Sequence, residues 1–212
     1  MFMGLYDGEI ACTDQRLGAF FGRLRKLGIA DNTLIIVLSD HGDEFLEHGG
    51  TDHGTTLFQE VLHVALIVSG PGGIPVGVVD SPVGLFDVFP SILAYLGIES
   101  PPDLDGRDIL GSPVPADRPI PSSGIENEQL QKGGQLAAII RNSEKLIIDM
   151  VTEIPVWYDL LTDPAEMTPL EHPASDMMAE VQFYWSTPPR ADPAEVTVFH
   201  DLSMLRNLGY LN

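Results

Sequence analysis

Residues Leu34-Ile35-Ile36-Val37-Leu38 form an unbroken apolar run that gives way at once to Ser39-Asp40-His41-Gly42. No polar residue alternates within the run, so it predicts a strand covered on both faces, as in an α/β sheet. Open α/β sheets bind ligands beyond the carboxyl ends of their strands. The run therefore delivers a carboxylate, Asp40, and an imidazole, His41, to a loop at a strand end, and both are metal-ligand side chains. Gly42 is expected to permit the backbone turn that lets neighbouring groups converge.

Titratable side chains continue through Asp43, Glu44, Glu47, His48, Asp52 and His53, and four of the six histidines lie between positions 41 and 63. Spacing alone leaves two readings open. One is a metal- or anion-binding site; the other is a solvated acidic loop whose Asp-His pairs serve capping hydrogen bonds.

At 212 residues, 44% of them hydrophobic, and with mean hydropathy +0.09, the chain can bury a substantial core. Asp and Glu outnumber Lys and Arg by 31 to 11, and the net charge of -20 opposes attraction to nucleic acid or an anionic membrane. An anionic substrate would need a local cation. A single cysteine, Cys12, excludes an intrachain disulfide framework. The first residues lack a basic region followed by an apolar core, and no stretch is long and apolar enough to span a bilayer. No membrane association is expected, and the compartment stays open between periplasmic or secreted and cytoplasmic.

Local patterns divide the chain further. Leu17, Phe20, Phe21, Leu24 and Leu27 recur at three- and four-residue steps, which predicts a helix capped by Gly28. Asp31-Asn32-Thr33 turns the chain into the first strand. Thr55 to Leu62 reads as a short helix and Val64 to Val68 as a second buried strand, ended by Ser69-Gly70-Pro71-Gly72-Gly73. Asp87 is expected to cap a helix with Pro90 in its first turn and Gly97 at its stop. From Pro101 to Gly124 the composition of Pro, Gly, Ser and Asp predicts a long surface connection. Three strands are expected beyond it, at Leu136–Arg141, Lys145–Asp149 and Val156–Leu161, the first two joined as a hairpin by Asn142-Ser143-Glu144. Thr162 to Glu166 reads as a turn into a helix start, Trp157 as core, Tyr158 as surface, and Met177 and Met178 as helix packing. The expected division is 1–111 for an α/β portion and 112–212 for a linker and an antiparallel-sheet subdomain.

Several segments resemble one family when taken in order. Ser39-Asp40-His41-Gly42, Glu47-His48-Gly49, His53-Gly54-Thr55, the strand Val64 to Val68 and Gly70-Pro71-Gly72 are similar to the C-terminal half of a sulfatase, in the alkaline phosphatase superfamily. Leu85 to Pro90 before a helix ending at Gly97, Asp103 to Arg107, Trp157 to Leu160 with Asp163-Pro164, and Leu205 to Leu211 agree in order and spacing. The resemblance implies an α/β fold, part of an alkaline-phosphatase-like sandwich with a mixed sheet flanked by helices, followed by a small antiparallel sheet with a helix. It implies that Asp40 and His41 ligate a divalent cation, most often Ca2+. His53 stands where the family places a Lys or His against the sulfate, so it inherits a substrate-binding and catalytic role. Glu44 and His48 lie near enough to support these groups, and His48 is a second substrate-binding candidate.

The departures are specific. Family members commonly show Arg-Val-Pro where this chain has His63-Val64-Ala65, which makes His63 structural. Sulfatases use a formylglycine made from Cys or Ser in a Cys/Ser-x-Pro-x-Arg motif placed well upstream. Cys12-Thr13-Asp14-Gln15-Arg16 keeps the Cys-to-Arg spacing, but Asp14 replaces the proline and the stretch is helical, so Cys12 is expected to be a buried small side chain. The expectation is a catalytically incomplete C-terminal fragment that self-associates or pairs with an N-terminal half. Arg107 is expected to tie down its loop; His172 and His200 receive no role. Three functions stay open: a sulfate-ester hydrolase acting on a small ester, a phosphate or phosphonate ester hydrolase of the same superfamily, and a non-catalytic remnant of the fold.

Overall fold

The computed structural model describes residues 2–72, 74–124, 136–171 and 177–186. Helix α1, Phe2–Lys26, stops where Gly28 takes φ +71° and donates its N–H to the carbonyl of Arg25. Arg23, Arg25 and Lys26 crowd its last turn, where the helix dipole favours cations. Leu17, Phe21 and Leu24 are half-buried while Phe20 and Leu27 are exposed. Cys12 is half-buried rather than buried, because its flank of α1 is only partly covered by the described residues.

Strand β1, Ile35–Leu38, carries the apolar run. The hairpin strands β2, Glu44–Phe45, and β3, Thr51–Asp52, follow, then helix α2, Gln59–Leu62, and strand β4, Leu66–Ser69. β1 and β4 pair antiparallel with Ile35 opposite Ser69 and Leu38 opposite Leu66, and Ser39 N–H extends the ladder to Ala65. The expected cover on both faces is absent among the described residues. Ile35, Ile36 and Val37 are half-buried and Leu38 is exposed, since a two-stranded ribbon leaves edges and a face open. α2 is a single turn, shorter than the predicted helix.

A 3-10 turn at Leu85–Asp87 runs into helix α3, Val88–Tyr95, with Pro90 in the first turn, where its missing N–H has no helical partner to lose. Gly97 at φ +68° closes the helix, with Gly97 N–H on Ala94 and Ile98 N–H on Leu93. Asp87 stands at the N-cap of α3, but its side chain makes no cap hydrogen bond to that helix. Its fully buried carboxylate instead accepts from the N–H groups of Gly84 and Arg107 and from the Arg118 guanidinium. Arg107 is thus held by its backbone, and Ser91 Oγ takes the N–H of Ile109 two residues on.

The predicted surface connection ends in a strand, β5, Ile120–Gly124. It is followed by β6, Leu136–Arg141, β7, Glu144–Asp149, and β8, Ile154–Asp159, in an antiparallel sheet of order β5-β6-β7-β8. β5 lies at the edge, which tolerates Pro121. Asn142 at φ +55° makes the β6–β7 turn. Helix α4, Met178–Ser186, covers one face, where Ala137, Ile139, Leu146 and Ile148 pack with Met177 and Val181. Leu57 covers the other face with Ala138, Ile147 and Tyr158. Tyr158 is therefore buried, not at the surface, because both faces of this sheet are occupied; Trp157 is half-buried against the first cluster. The Thr162–Glu166 turn does not start a helix. His172, His200 and Leu205 to Leu211 lie outside the described residues. Among the described residues no helix is long and apolar enough to cross a membrane.

Candidate functional site

The end of β1 sets the first two site groups. Ser39 Oγ donates to the carbonyl of His41 at 2.6 Å, and Asp40 Oδ1 accepts the N–H of His41 at 3.0 Å, so the turn after the strand is held by its own side chains. His41 Nδ1 faces the carbonyl of Gly42 at 3.0 Å. A ring that donates from Nδ1 keeps its lone pair on Nε2, the form that ligates metals. That Nε2 lies 3.8 Å from Asp40 Oδ1, a separation one cation can bridge. Asp40 and His41 therefore fit part of a cation's coordination shell and not the whole of it, since a hard cation of calcium's size takes six to eight oxygen ligands.

Gly42 is required for a different reason from the one expected. A Cβ there would sit 2.1 Å from the carbonyl oxygen of Glu60, and Gly42 N–H donates to Val61 at 2.8 Å. The glycine lets the backbone of α2 press against the end of β1.

His53 arrives beside His41 across the β2–β3 hairpin, the two rings stacked with centroids 3.7 Å apart. Its Nδ1 lies 2.9 Å from Asp43 Oδ1 and 2.8 Å from Asp52 Oδ1. The hydrogen bond to Asp43 raises the His53 pKa above 6.5; burial pulls the other way, and the charge of Asp52 adds to the rise. Donor atoms of His41, Asp43 and His53 all lie within 4.8 Å of one another. Asp43 was legible only as one more acid in a polar loop, and no pattern in the sequence links it to a histidine ten residues away.

His48 is placed elsewhere. Its ring stacks on Phe58 at 3.6 Å, Nδ1 donates to Glu60 Oε1 at 2.5 Å and Nε2 to the carbonyl of Glu166 at 3.2 Å. Burial lowers its pKa, but the bonds to Glu60 and Glu166 outweigh this and the net shift is upward, as two acceptors facing two ring nitrogens require. Buried Glu44 gathers the same loop: its carboxylate accepts from His48 N–H, Gly50 N–H and Thr56 Oγ1. His63 is exposed and ends α2 through its backbone N–H on Gln59.

Comparison with known proteins decides the family. Residues 2–98, which hold α1, the strand end, the histidine loop and α3, match the family model described as Sulfatase. Residues 2–98 of this chain belong to the sulfatase family. Arylsulfatase K of Bos taurus is 30% identical over 181 residues, covering 77% of this chain and 32% of that protein. A protein solved in complex with its substrate D-glucosamine-2-N,6-O-disulfate superposes with TM-score 0.63 at 24% identity, over 84% of this chain and 36% of that one. The phosphonate monoester hydrolase of Silicibacter pomeroyi superposes with TM-score 0.59 at 23% identity, over 93% of this chain and 39% of that one. The fold is thus the alkaline-phosphatase-like α/β fold of sulfatases. The chain spans about a third of the length of these curated relatives.

Proposed function

We propose that these residues serve a sulfuric ester hydrolase acting on a small sulfate ester, with a nucleophile supplied from outside the 212 residues. The observation that carries the reading is His53, its Nδ1 between two carboxylates and its ring against His41. With Nδ1–H held by Asp43 and Asp52, Nε2–H is the proton-bearing nitrogen left to face a substrate. As the sulfur–oxygen bond breaks, Nε2 gives its proton to the departing alcohol oxygen, and the carboxylates keep the ring oriented. Asp43 acts through His53 and is a positioning residue.

Asp40 and His41 would hold a divalent cation, Ca2+ by the resemblance. When bound, the cation supplies positive charge against the sulfuryl oxygens. The protein's net charge of -20 makes such local cations necessary for an anionic ester. His48, with both nitrogens engaged, serves the loop better than it serves substrate. The division into 1–111 and 112–212 is kept as part of the proposal, with the antiparallel sheet supporting the site portion.

The second reading, phosphonate or phosphate ester hydrolysis, rests on the likeness to the Silicibacter pomeroyi enzyme over 93% of this chain. The test compares aryl sulfate with aryl phosphonate hydrolysis by the protein that carries these residues in its host, and by its His53→Ala variant. Sulfate preference abolished by the variant supports the first reading, and phosphonate preference supports the second. The isolated 212 residues are expected to give no turnover, and hydrolysis by homogeneous chain would remove the claim that the nucleophile lies elsewhere.

A further inference from the structure

A buried ion pair distinct from the histidine pair grips the segment that carries it. Lys145 on β7 and Glu166, beyond β8, are both 0% exposed at the side chain, with Nζ 2.6 Å from Oε1. Glu166 Oε2 takes the N–H of Gln59, the first residue of α2, at 2.6 Å. Its carbonyl takes Nε2–H of His48 at 3.2 Å. Glu166 holds φ +52°, a conformation side chains rarely adopt, at the position where carboxylate and carbonyl grip both ends of one segment. His48 then passes the grip inward: Nδ1–H goes to Glu60, and its backbone N–H goes to Glu44, which also holds Gly50 and Thr56. Phe58 lies between the His48 ring and Lys145 Nζ, 6.0 Å from the latter. His53 sits inside the segment so bounded, between Gly50 and Thr56.

We infer that Lys145 and Glu166 are positioning residues for the reaction proposed above, the antiparallel sheet using one buried ion pair to fix the loop that presents His53. The inference rests on that reading for its catalytic meaning. A stability role alone does not account for the arrangement. Two charges taken out of water gain little over an apolar pair of the same volume. Here every acceptor of Glu166 but the one facing Lys145 is spent on residues 48 and 59. Lys145 Nζ, 2.6 Å from Oε1, fixes the carboxylate so that Oε2 stays aimed at Gln59. Neither residue is within the group formed by His41, Asp43 and His53, so any effect on chemistry must travel through the loop.

The test uses the 212-residue chain and the two charge-free pairs Lys145→Met with Glu166→Leu, and Lys145→Gln with Glu166→Gln. Far-UV circular dichroism reports folding, and the ring carbon-proton NMR signals of His48 and His53 report the loop. The expected result is a folded variant in which both ring signals move. In the host protein kcat should then fall about tenfold or more, as for loss of groups that orient catalytic residues, with KM little changed. Ring signals and kcat unchanged in a folded variant overturn the inference. Loss of folding in both pairs overturns it too, because the pair then serves stability. An unmodified host protein that hydrolyses no sulfate ester fails the functional reading instead, a separate outcome, since the ring signals do not depend on turnover.

Discussion

The imidazoles of His41 and His53 stack 3.7 Å apart, centroid to centroid, with planes 28° from parallel. The pair couples the end of β1 to the β2–β3 hairpin: His41 comes from the strand-end turn, and His53 is held by carboxylates on both sides of the hairpin. Charge brought to one ring is felt by the other.

A cation titration exploits that coupling. Adding Ca2+ to the 212-residue chain should move the NMR ring signals of His41 and His53 together while those of His48 stay in place. Asp40→Asn removes one of few charged donors and should weaken the response about tenfold or more. Movement of His48 first would place the cation at the Glu44, His48 and Glu60 group instead.

Gly42 and Gly54 separate two kinds of glycine requirement. A Cβ at Gly42 would lie 2.1 Å from the Glu60 carbonyl, so Gly42→Ala must push α2 from the strand end, at a cost of about 1–3 kcal/mol. At Gly54 a Cβ meets nothing within 4 Å, but φ is +85°, and Gly54→Ala should cost about 1–2 kcal/mol through the backbone alone. Urea unfolding measures both. Only Gly42→Ala should also alter the His41 ring signal.

Asp87 and Arg118 test a second buried pair. The carboxylate is fully buried and the guanidinium side chain is 8% exposed, so Asp87→Ala strands a buried cation and the backbone N–H groups of Gly84 and Arg107. The expected loss is about 3–5 kcal/mol in chemical denaturation. A loss under about 1 kcal/mol would mean that water reaches Arg118.

His48 gives the stability a pH dependence of known sign. Burial lowers its pKa, the bonds to Glu60 and Glu166 raise it, and the folded value ends above 6.5. A group whose folded pKa is raised stabilises fully below its unfolded value and loses that contribution as pH climbs through the folded one. Stability should therefore decline as pH rises from about 6.5 through the raised folded value. His48→Gln should flatten this part of the profile, checked by thermal unfolding at several pH values. A profile unchanged by the substitution would assign the decline to other groups.

Local patterns made much of the fold legible. The run Leu34 to Leu38 announces β1 because consecutive β-formers have few alternatives, and Asp40-His41 at its end follows from strand geometry. Gly28 and Gly97 end α1 and α3 where only a residue without a Cβ takes positive φ readily, and Asn142-Ser143 joins β6 to β7 through the same kind of conformation. The strand β5 escaped notice, since Ile120-Pro121-Ser122-Ser123-Gly124 has the composition of a loop and becomes a strand only by pairing with β6. Tyr158 looked like a surface residue for want of any sign that Leu57 covers the second face of its sheet.

The amino-acid sequence alone determined the local units: which segments extend, which coil, and which ligand-grade side chains stand at a strand end. Those outcomes depend on residues within a few positions of each other, where backbone sterics and side-chain periodicity decide. Tertiary structure alone decided the partnerships. Asp43 with His53, His48 with Glu60, and Glu166 with Gln59 join groups 10, 12 and 107 residues apart. Such pairs form because burial strips water from charged and polar groups and obliges each to find a partner, wherever in the chain that partner lies.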